Sequence, residues 1–201
     1  MREIIPDVLM WSWFSEPHGY NFNGHLIIHE DGNLCIDPAE PTAEELAELA
    51  RRGVARILLT NRNHVRAANM IRARTRARIA IHPADANHAR SQGAEVDDEL
   101  KVGATVGPLS VVAVPGKSPG EVALYWRDRR LLIVGDAIIG TPPGHCRLLR
   151  EAVMDDPPRL RSSVQRLLNL DFDTLLVGDG EPIVSGAKEQ VRQLVATFAN
   201  Q

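Results

Sequence analysis

One short stretch of the chain concentrates polar chemistry. After an apolar run ending at Thr60 come Asn61, Arg62, Asn63, His64, Val65 and Arg66, five of the six polar. Two amides, an imidazole and two guanidiniums could hold an anion or steer a proton, and the imidazole could join a metal site if it had partners. Three other apolar runs end in the same manner. VVAVPGK runs into Lys117, LLIVGD into Asp136, and TLLVGDG carries Asp179, with Gly135, Gly178 and Gly180 alongside. In layered α/β folds the loops at one end of the buried strands build the ligand site. Asn61, Lys117, Asp136 and Asp179 are therefore expected in one pocket, with glycines letting backbone approach closely. A lone Asp after Gly at a strand end often only caps a turn. Recurrence in four places is what favours a shared site.

The elements that must position these residues follow from periodicity. Strands are expected at 8–13, 25–29, 33–36, 57–59, 78–81, 109–114, 122–126, 131–134 and 174–177. Helices are expected at about 67–74, 83–92, 158–169 and 186–198, with another opening after Pro41. There Thr42 and Glu45 have the spacing of a capping box, and Gly53 stops the helix. The sequence EDGN at 30–33 reads as a hairpin turn with Gly32 at positive φ. Asp97, Asp98 and Glu99 read as a solvated acidic loop. No stretch is linker-like, so residues 1–201 are taken as a single α/β domain.

Bulk properties exclude several classes. The net charge of −3 over 201 residues, with 44% apolar and 24% charged residues, leaves no electrostatic footprint for nucleic acid or an anionic membrane. No leader-like segment or membrane-length apolar run is present, so a cytoplasmic, soluble protein is expected. Cys35 and Cys146 lie far apart, without metal or redox spacing, and are expected to be idle thiols. The basic side consists of 20 arginines and only Lys101, Lys117 and Lys188. Each lysine is thus worth locating. Trp11, Trp13 and Phe14 are expected in the core or at a subunit contact, which would make a homo-oligomer.

In its order of segments the chain resembles the metallo-β-lactamase superfamily, in the glyoxalase II-like hydrolase branch, over nearly its whole length. The resemblance rests on Asn23-Gly24 with Leu26-Ile27, on a strand ending in Asp37, and on Thr60 followed by the polar stretch where the family has Thr-His-x-His-x-Asp-His. It continues through Pro115-Gly116-Lys117-Ser118-Pro119-Gly120 for Pro-Gly-His-(Ser/Thr)-Pro-Gly, Gly135-Asp136 for Gly-Asp, and Gly178-Asp179-Gly180 for Gly-His-Gly. It implies an αββα sandwich, two mixed sheets flanked by helices, with the active site along one edge. The family's metal ligands fall here on Asn61, Asn63 and Lys117 for one ion, on Val65, Arg66 and Asp179 for the other, and on Asp136 as the bridge. Of the seven, only Asp136 is kept.

That substitution pattern removes ligands and supplies charge. Without metal ions, Asp136 and Asp179 would be close, like-charged and partly buried, which raises carboxyl pKa values. Arg66 and Lys117 can compensate them and would repel a divalent ion. The expected site is therefore Asn61, Asn63, His64, Arg66, Lys117, Asp136 and Asp179, with no metal and no cofactor. Its expected role is to bind a small anion or a partner at the old pocket. The alternative is a hydrolase of esters, thioesters or lactones. That enzyme would use one Mg²⁺ or Mn²⁺ held by Asp136, Asp179 and water, with His64 or His145 as a further ligand, or a metal-free route with Ser118 and Lys117 as a nucleophile–base pair or Asp136 or Asp179 as general base. His64, one residue out of register with the family's ligands, is expected to point elsewhere. His18 and His145 lie on loops that could reach the pocket mouth.

Overall fold

The computed structural model describes residues 1–200. In chain order the elements are β1 (Arg2–Ile5), β2 (Val8–Ser15), β3 (Tyr20–Ile27), β4 (Leu34–Ile36), α1 (Ala43–Arg52), β5 (Arg56–Leu59), α2 (Ala68–Thr75), β6 (Arg78–Ile81) and α3 (Pro83–Ser91). There follow β7 (Val96–Glu99), β8 (Thr105–Val106), β9 (Leu109–Ala113), β10 (Val122–Trp126), β11 (Leu131–Val134), α4 (Pro157–Leu167), β12 (Thr174–Val177) and α5 (Ala187–Ala196). β1 to β7 form one sheet in sequence order; the other runs β12-β11-β10-β9-β8. Both are mixed: β4 to β7 are mutually parallel, as are β11 and β12, and the remaining neighbours are antiparallel.

Strand alternation builds the layers. Ile57, Leu59, Ile79 and Ile81 pack outward against Leu49 of α1, Ile71 of α2 and Ala89 of α3. Their neighbours Leu58 and Ala80 face inward, against Leu109, Leu124, Leu131 and Ile133 of the second sheet. That sheet's other face, with Leu132, Val134, Leu175 and Val177, meets Leu160 and Val164 of α4 and Val191 of α5. The result is the expected αββα sandwich, and strands buried on both faces explain the near-continuous apolar runs. Among the described residues no helix is long and apolar enough to cross a membrane. Cys35 and Cys146 are both free.

Local expectations hold where side-chain chemistry dictates them. Thr42 and Glu45 make the reciprocal capping box of α1, and Gly53 at φ 77° ends the helix. The acidic 97–99 loop is a correction: it is the edge strand β7, parallel to β6. Its charges are edge protection, paired to the neighbouring element. Asp98 pairs with Arg78 at 2.6 Å, and Asp97 pairs with Arg72 and accepts from the Ile79 amide at 2.9 Å. β3 is also displaced from the expectation, starting at Tyr20 and ending at Ile27. His29 is thus off the strand, while His25 is fully buried. Trp11 is in the core, but Trp13 and Phe14 are about half exposed, at 46% and 50%.

Candidate functional site

The carboxyl ends of β4, β5, β11 and β12 converge on one edge of the sandwich. Backbone bonds stitch the two sheets together there. The Val122 amide donates to Thr60 (2.9 Å), Asn23 to Gly178 (2.8 Å) and Gly180 to Asn21 (2.8 Å). Two glycines give the loop after β5 its room. A Cβ on Gly135 would lie 2.2 Å from the Thr60 hydroxyl, and one on Gly178 would lie 2.7 Å from the His64 ring. The loop therefore packs over the glycines just past the ends of β11 and β12, and His64 goes in with it.

His64 is the main correction to the sequence reading. It does not point away; it is 1% exposed and lies between two carboxylates. Its Nδ1 is 3.0 Å from Asp37 and its Nε2 is 3.0 Å from Asp136. Asp37, at φ 47° in the left-handed region, is fixed by the Thr60 amide (2.8 Å) and hydroxyl (2.6 Å), both donating to it. Burial and Arg66 push the imidazole pKa down, but Asp37 and Asp136 outweigh them and lift it to about 10. His64 is a buried imidazolium.

Asp136 has a second cation. Lys117 Nζ is 3.0 Å from its other oxygen and donates to Asn63 Oδ1 at 2.7 Å. Burial alone would raise Asp136, yet His64 and Lys117 hold it well below the usual carboxylate range, against the expected rise. Asp179 follows the expectation: burial, then Asp136, keep it above its ordinary value, with His64 and Arg66 opposing. Arg66 donates to Asp179 at 3.1 Å and lies 4.2 Å over the Phe22 ring. Its other amino group, Nη1, is buried without a partner.

These residues line a cleft of about 590 Å³, which contains Asn63, His64, Arg66, Lys117, Asp136 and Asp179 together with His18, Tyr20, Phe22, Arg147 and Arg150. Asn61 is the exception among the expected residues. It is fully buried behind the cleft, where its side chain accepts from the Asn63 amide (2.8 Å) and approaches Glu121 (3.5 Å). Ser118 is likewise not on the cleft. It is fully buried and its hydroxyl donates to Asp85, so its role is to hold a turn. His145 lines the neighbouring cleft, while His18 does reach this one, with Nδ1 2.7 Å from the Ser15 hydroxyl.

Glu121, Arg147 and Arg150 were not anticipated. Glu121 is 1% exposed beneath the cleft, and burial, then Asp136, raise its pKa well above normal, with Lys117 and His64 opposing. The available signal was a Glu opening the wholly apolar run 122–126. The arginines carry no local signal, since only tertiary contacts bring them here.

Among the described residues one set of groups could approach a single ion: ligand atoms of His64, Asp136 and Asp179 lie within 4.8 Å of one another. The two-metal centre implied by the resemblance fits poorly. A primary amine, a guanidinium and a doubly engaged imidazolium stand among two carboxylates, and the other positions hold amides and a valine.

Known proteins place this architecture. The family model for the metallo-beta-lactamase superfamily matches residues 2–198. A hydroxyacylglutathione hydrolase of Cereibacter sphaeroides is 30% identical over 177 residues, covering 83% of this chain and 65% of the relative. One from Acidiphilium cryptum is 28% identical over 170 residues, covering 81% and 65%. The chain thus spans about 65% of the length of these curated relatives. A metallo-beta-lactamase structure from Pontibacter korlensis superposes with a TM-score of 0.81 at 16% identity, covering 100% of this chain and 98% of that one, which speaks to the fold alone. With an αββα sandwich, a cleft at the usual edge and a family match running nearly end to end, the chain belongs to the metallo-beta-lactamase superfamily.

Proposed function

We propose that the cleft binds a small anionic ligand and that this member of a hydrolase family does not work through a two-metal centre. The observation that carries the reading is that each carboxylate at a ligand position already has an internal cation. Asp136 sits between His64 and Lys117, and Asp179 lies under Arg66. A buried carboxylate without a counter-charge costs several kcal/mol, roughly 3–5. Metal ions would normally meet that demand, and here side chains meet it. The family's metal-bound hydroxide then has no place to form, so conventional hydrolysis is not expected. The donors that remain suit a carboxylate or phosphate: Lys117, Asn63, and Arg66 with its unpartnered amino group.

Elemental analysis of protein purified without a metal-binding tag tests this. The expected content is far below one ion per chain, and benzoate, a simple carboxylate, should raise the melting temperature after dialysis against EDTA. Stoichiometric zinc, iron or manganese would overturn the reading.

A second reading has one observation in its favour. Asp37 holds Nδ1 of His64 while Nε2 faces Asp136, an arrangement commonly found behind metal-bound histidines. If His64 gave up its proton, His64, Asp136 and Asp179 could hold one ion, and the oxygen-rich set favours Mg²⁺ or Mn²⁺. The protein would then hydrolyse an ester, thioester or lactone. Turnover from such a panel, dependent on added metal and abolished by Asp136→Asn, would select this reading over the first.

A further inference from the structure

The floor of the cleft neutralises its own charge, whereas one wall does not. Arg147 and Arg150 line the same cleft as Lys117, Asp136 and Asp179. Among the described residues neither guanidinium is in an ion pair. Glu151, next in sequence, faces Arg161 at 2.6 Å instead. Four basic side chains, Arg66, Lys117, Arg147 and Arg150, thus face two carboxylates across the cleft, because His64 is matched by Asp37 beneath it. Two positive charges are left over, both on the segment between β11 and α4.

Exposed arginines are usually just solvated. Here the backbone holds them at the cleft. Arg147 exchanges two hydrogen bonds with fully buried Ile139, at 2.9 and 3.0 Å. Further along, the Asp155 amide donates to the Lys117 carbonyl at 3.3 Å and the Asp156 amide to Gly116 at 2.8 Å. The Asp155 carboxylate pairs with Arg62 at 2.6 Å. The segment is therefore tied down on both sides of Arg150. The Tyr20 phenol lies in the field of both groups: burial, Asp179 and Asp136 raise its pKa, and Arg147 and Arg150 pull it down. Tyr20 also belongs to a ring cluster, with Phe22 at 6.1 Å and His18 at 5.7 Å between centroids.

We propose that Arg147 and Arg150 are the selecting residues of this cleft and that its ligand is an organic dianion, a phosphomonoester or a dicarboxylate, whose body packs beside Tyr20. The inference rests on the anion-binding reading above and narrows it. A monoanion would meet only cations already matched by Asp136 and Asp179. A dianion also meets the two unmatched guanidiniums, whose forked donors suit phosphate and carboxylate oxygens. Tyr20, which lines the cleft, offers its ring to an unsaturated body.

Calorimetric titration in mildly alkaline buffer, where a phosphonate carries both charges, tests it with four probes: phenylphosphonate, phthalate, benzoate and inorganic phosphate. Phenylphosphonate or phthalate should bind about tenfold or more tighter than benzoate, as expected for one added charge-assisted contact. Whichever dianion binds more tightly identifies the phosphate or the dicarboxylate class. Inorganic phosphate, with no body to stack, should be the weaker of the two phosphorus probes. In Arg147→Ala/Arg150→Ala the preference for the dianion should collapse to within about twofold. Equal binding of mono- and dianions by the natural protein would overturn the inference while leaving the anion reading standing. So would a double variant that keeps its preference. Failure of all four probes would overturn both. Both side chains are exposed, so an unchanged melting temperature of the variant certifies its fold.

Discussion

The floor and the outer wall of the cleft are both rich in charge, and they treat it in opposite ways. On the floor, Asp37, His64, Asp136 and Lys117 form a continuous chain in which each charge touches one of opposite sign at 3.0 Å. All four are at most 7% exposed. On the wall, Arg147 and Arg150 face water and the cleft, with no carboxylate partner among the described residues. Burial explains the difference. In the interior an unmatched charge is expensive, so partners have to be built in. At the surface water screens the charge, and it can be left free for something that arrives. The floor should therefore govern stability and the wall recognition.

The sharpest way to break this comparison is to remove the central cation of the floor. His64→Gln leaves Asp37 and Asp136 buried with one fewer counter-charge. It should cost about 3–5 kcal/mol, read as a lower urea midpoint at constant slope. A loss below about 1 kcal/mol would mean that water, not His64, solvates the pair.

Stability against pH sharpens the same point. The His64 pKa is raised to about 10, so its contribution is complete below its unfolded value, about 6.5, and drains as pH rises toward 10. Asp37 and Asp136 are lowered, so theirs is complete above about 4 and is lost as pH falls. Asp179 and Glu121 are raised and oppose folding more once pH passes their unfolded values, near 4. The groups facing His64 are Asp37, Asp136, Arg66 and the neutral, buried His25, whose own pKa burial lowers to about 4. Below about pH 6.5 the lowered His25 loses stability as pH falls while the raised Asp179 and Glu121 regain it, so the test lies on the alkaline side: stability should decline by a few kcal/mol from about pH 6.5 toward 10, and His64→Gln should flatten that decline. Stability that rises from neutral pH toward 10 would contradict a buried imidazolium.

Lys117→Met comes next in size. It removes one of two cations from Asp136 and the donor from Asn63, and should cost about 1–3 kcal/mol. A cost as large as that of His64→Gln would place the centre of the floor on Lys117 instead.

How much of this was legible in the sequence depends on burial in the same way. β6, β10, β11 and β12 announce themselves as apolar runs because both faces are covered, and their bounds match the expectation. The edge strands β1, β7 and β8 carry no such run, and β7 reads as an acidic loop because charged side chains protect its edge. Asp136 and Asp179 were legible because each lies just past a buried strand, and Lys117 because the Pro115-Gly116 turn after β9 carries it. The register of His64 against the family's ligand motif misled because 60–67 is a loop whose path is set by the room that Gly135 and Gly178 leave, not by motif spacing. Arg147 and Arg150 were invisible: the contact that fixes their place, with Ile139, links segments that no local pattern joins.

The smallest effect is the one that separates the two regions most cleanly. Arg147→Ala/Arg150→Ala removes two charges from the same cleft as the floor variants, yet should change unfolding free energy by no more than about 0.5 kcal/mol. Neither side chain is buried or, among the described residues, ion-paired, so only solvent contacts and some long-range repulsion are lost. Relief of repulsion toward Lys117 and Arg66 could even make the sign slightly stabilising, and added salt should shrink that gain. Urea unfolding at low and high sodium chloride reads both effects. A destabilisation approaching that of His64→Gln would mean the wall is part of the structural charge network, and the division between a self-satisfied floor and an open wall would fail.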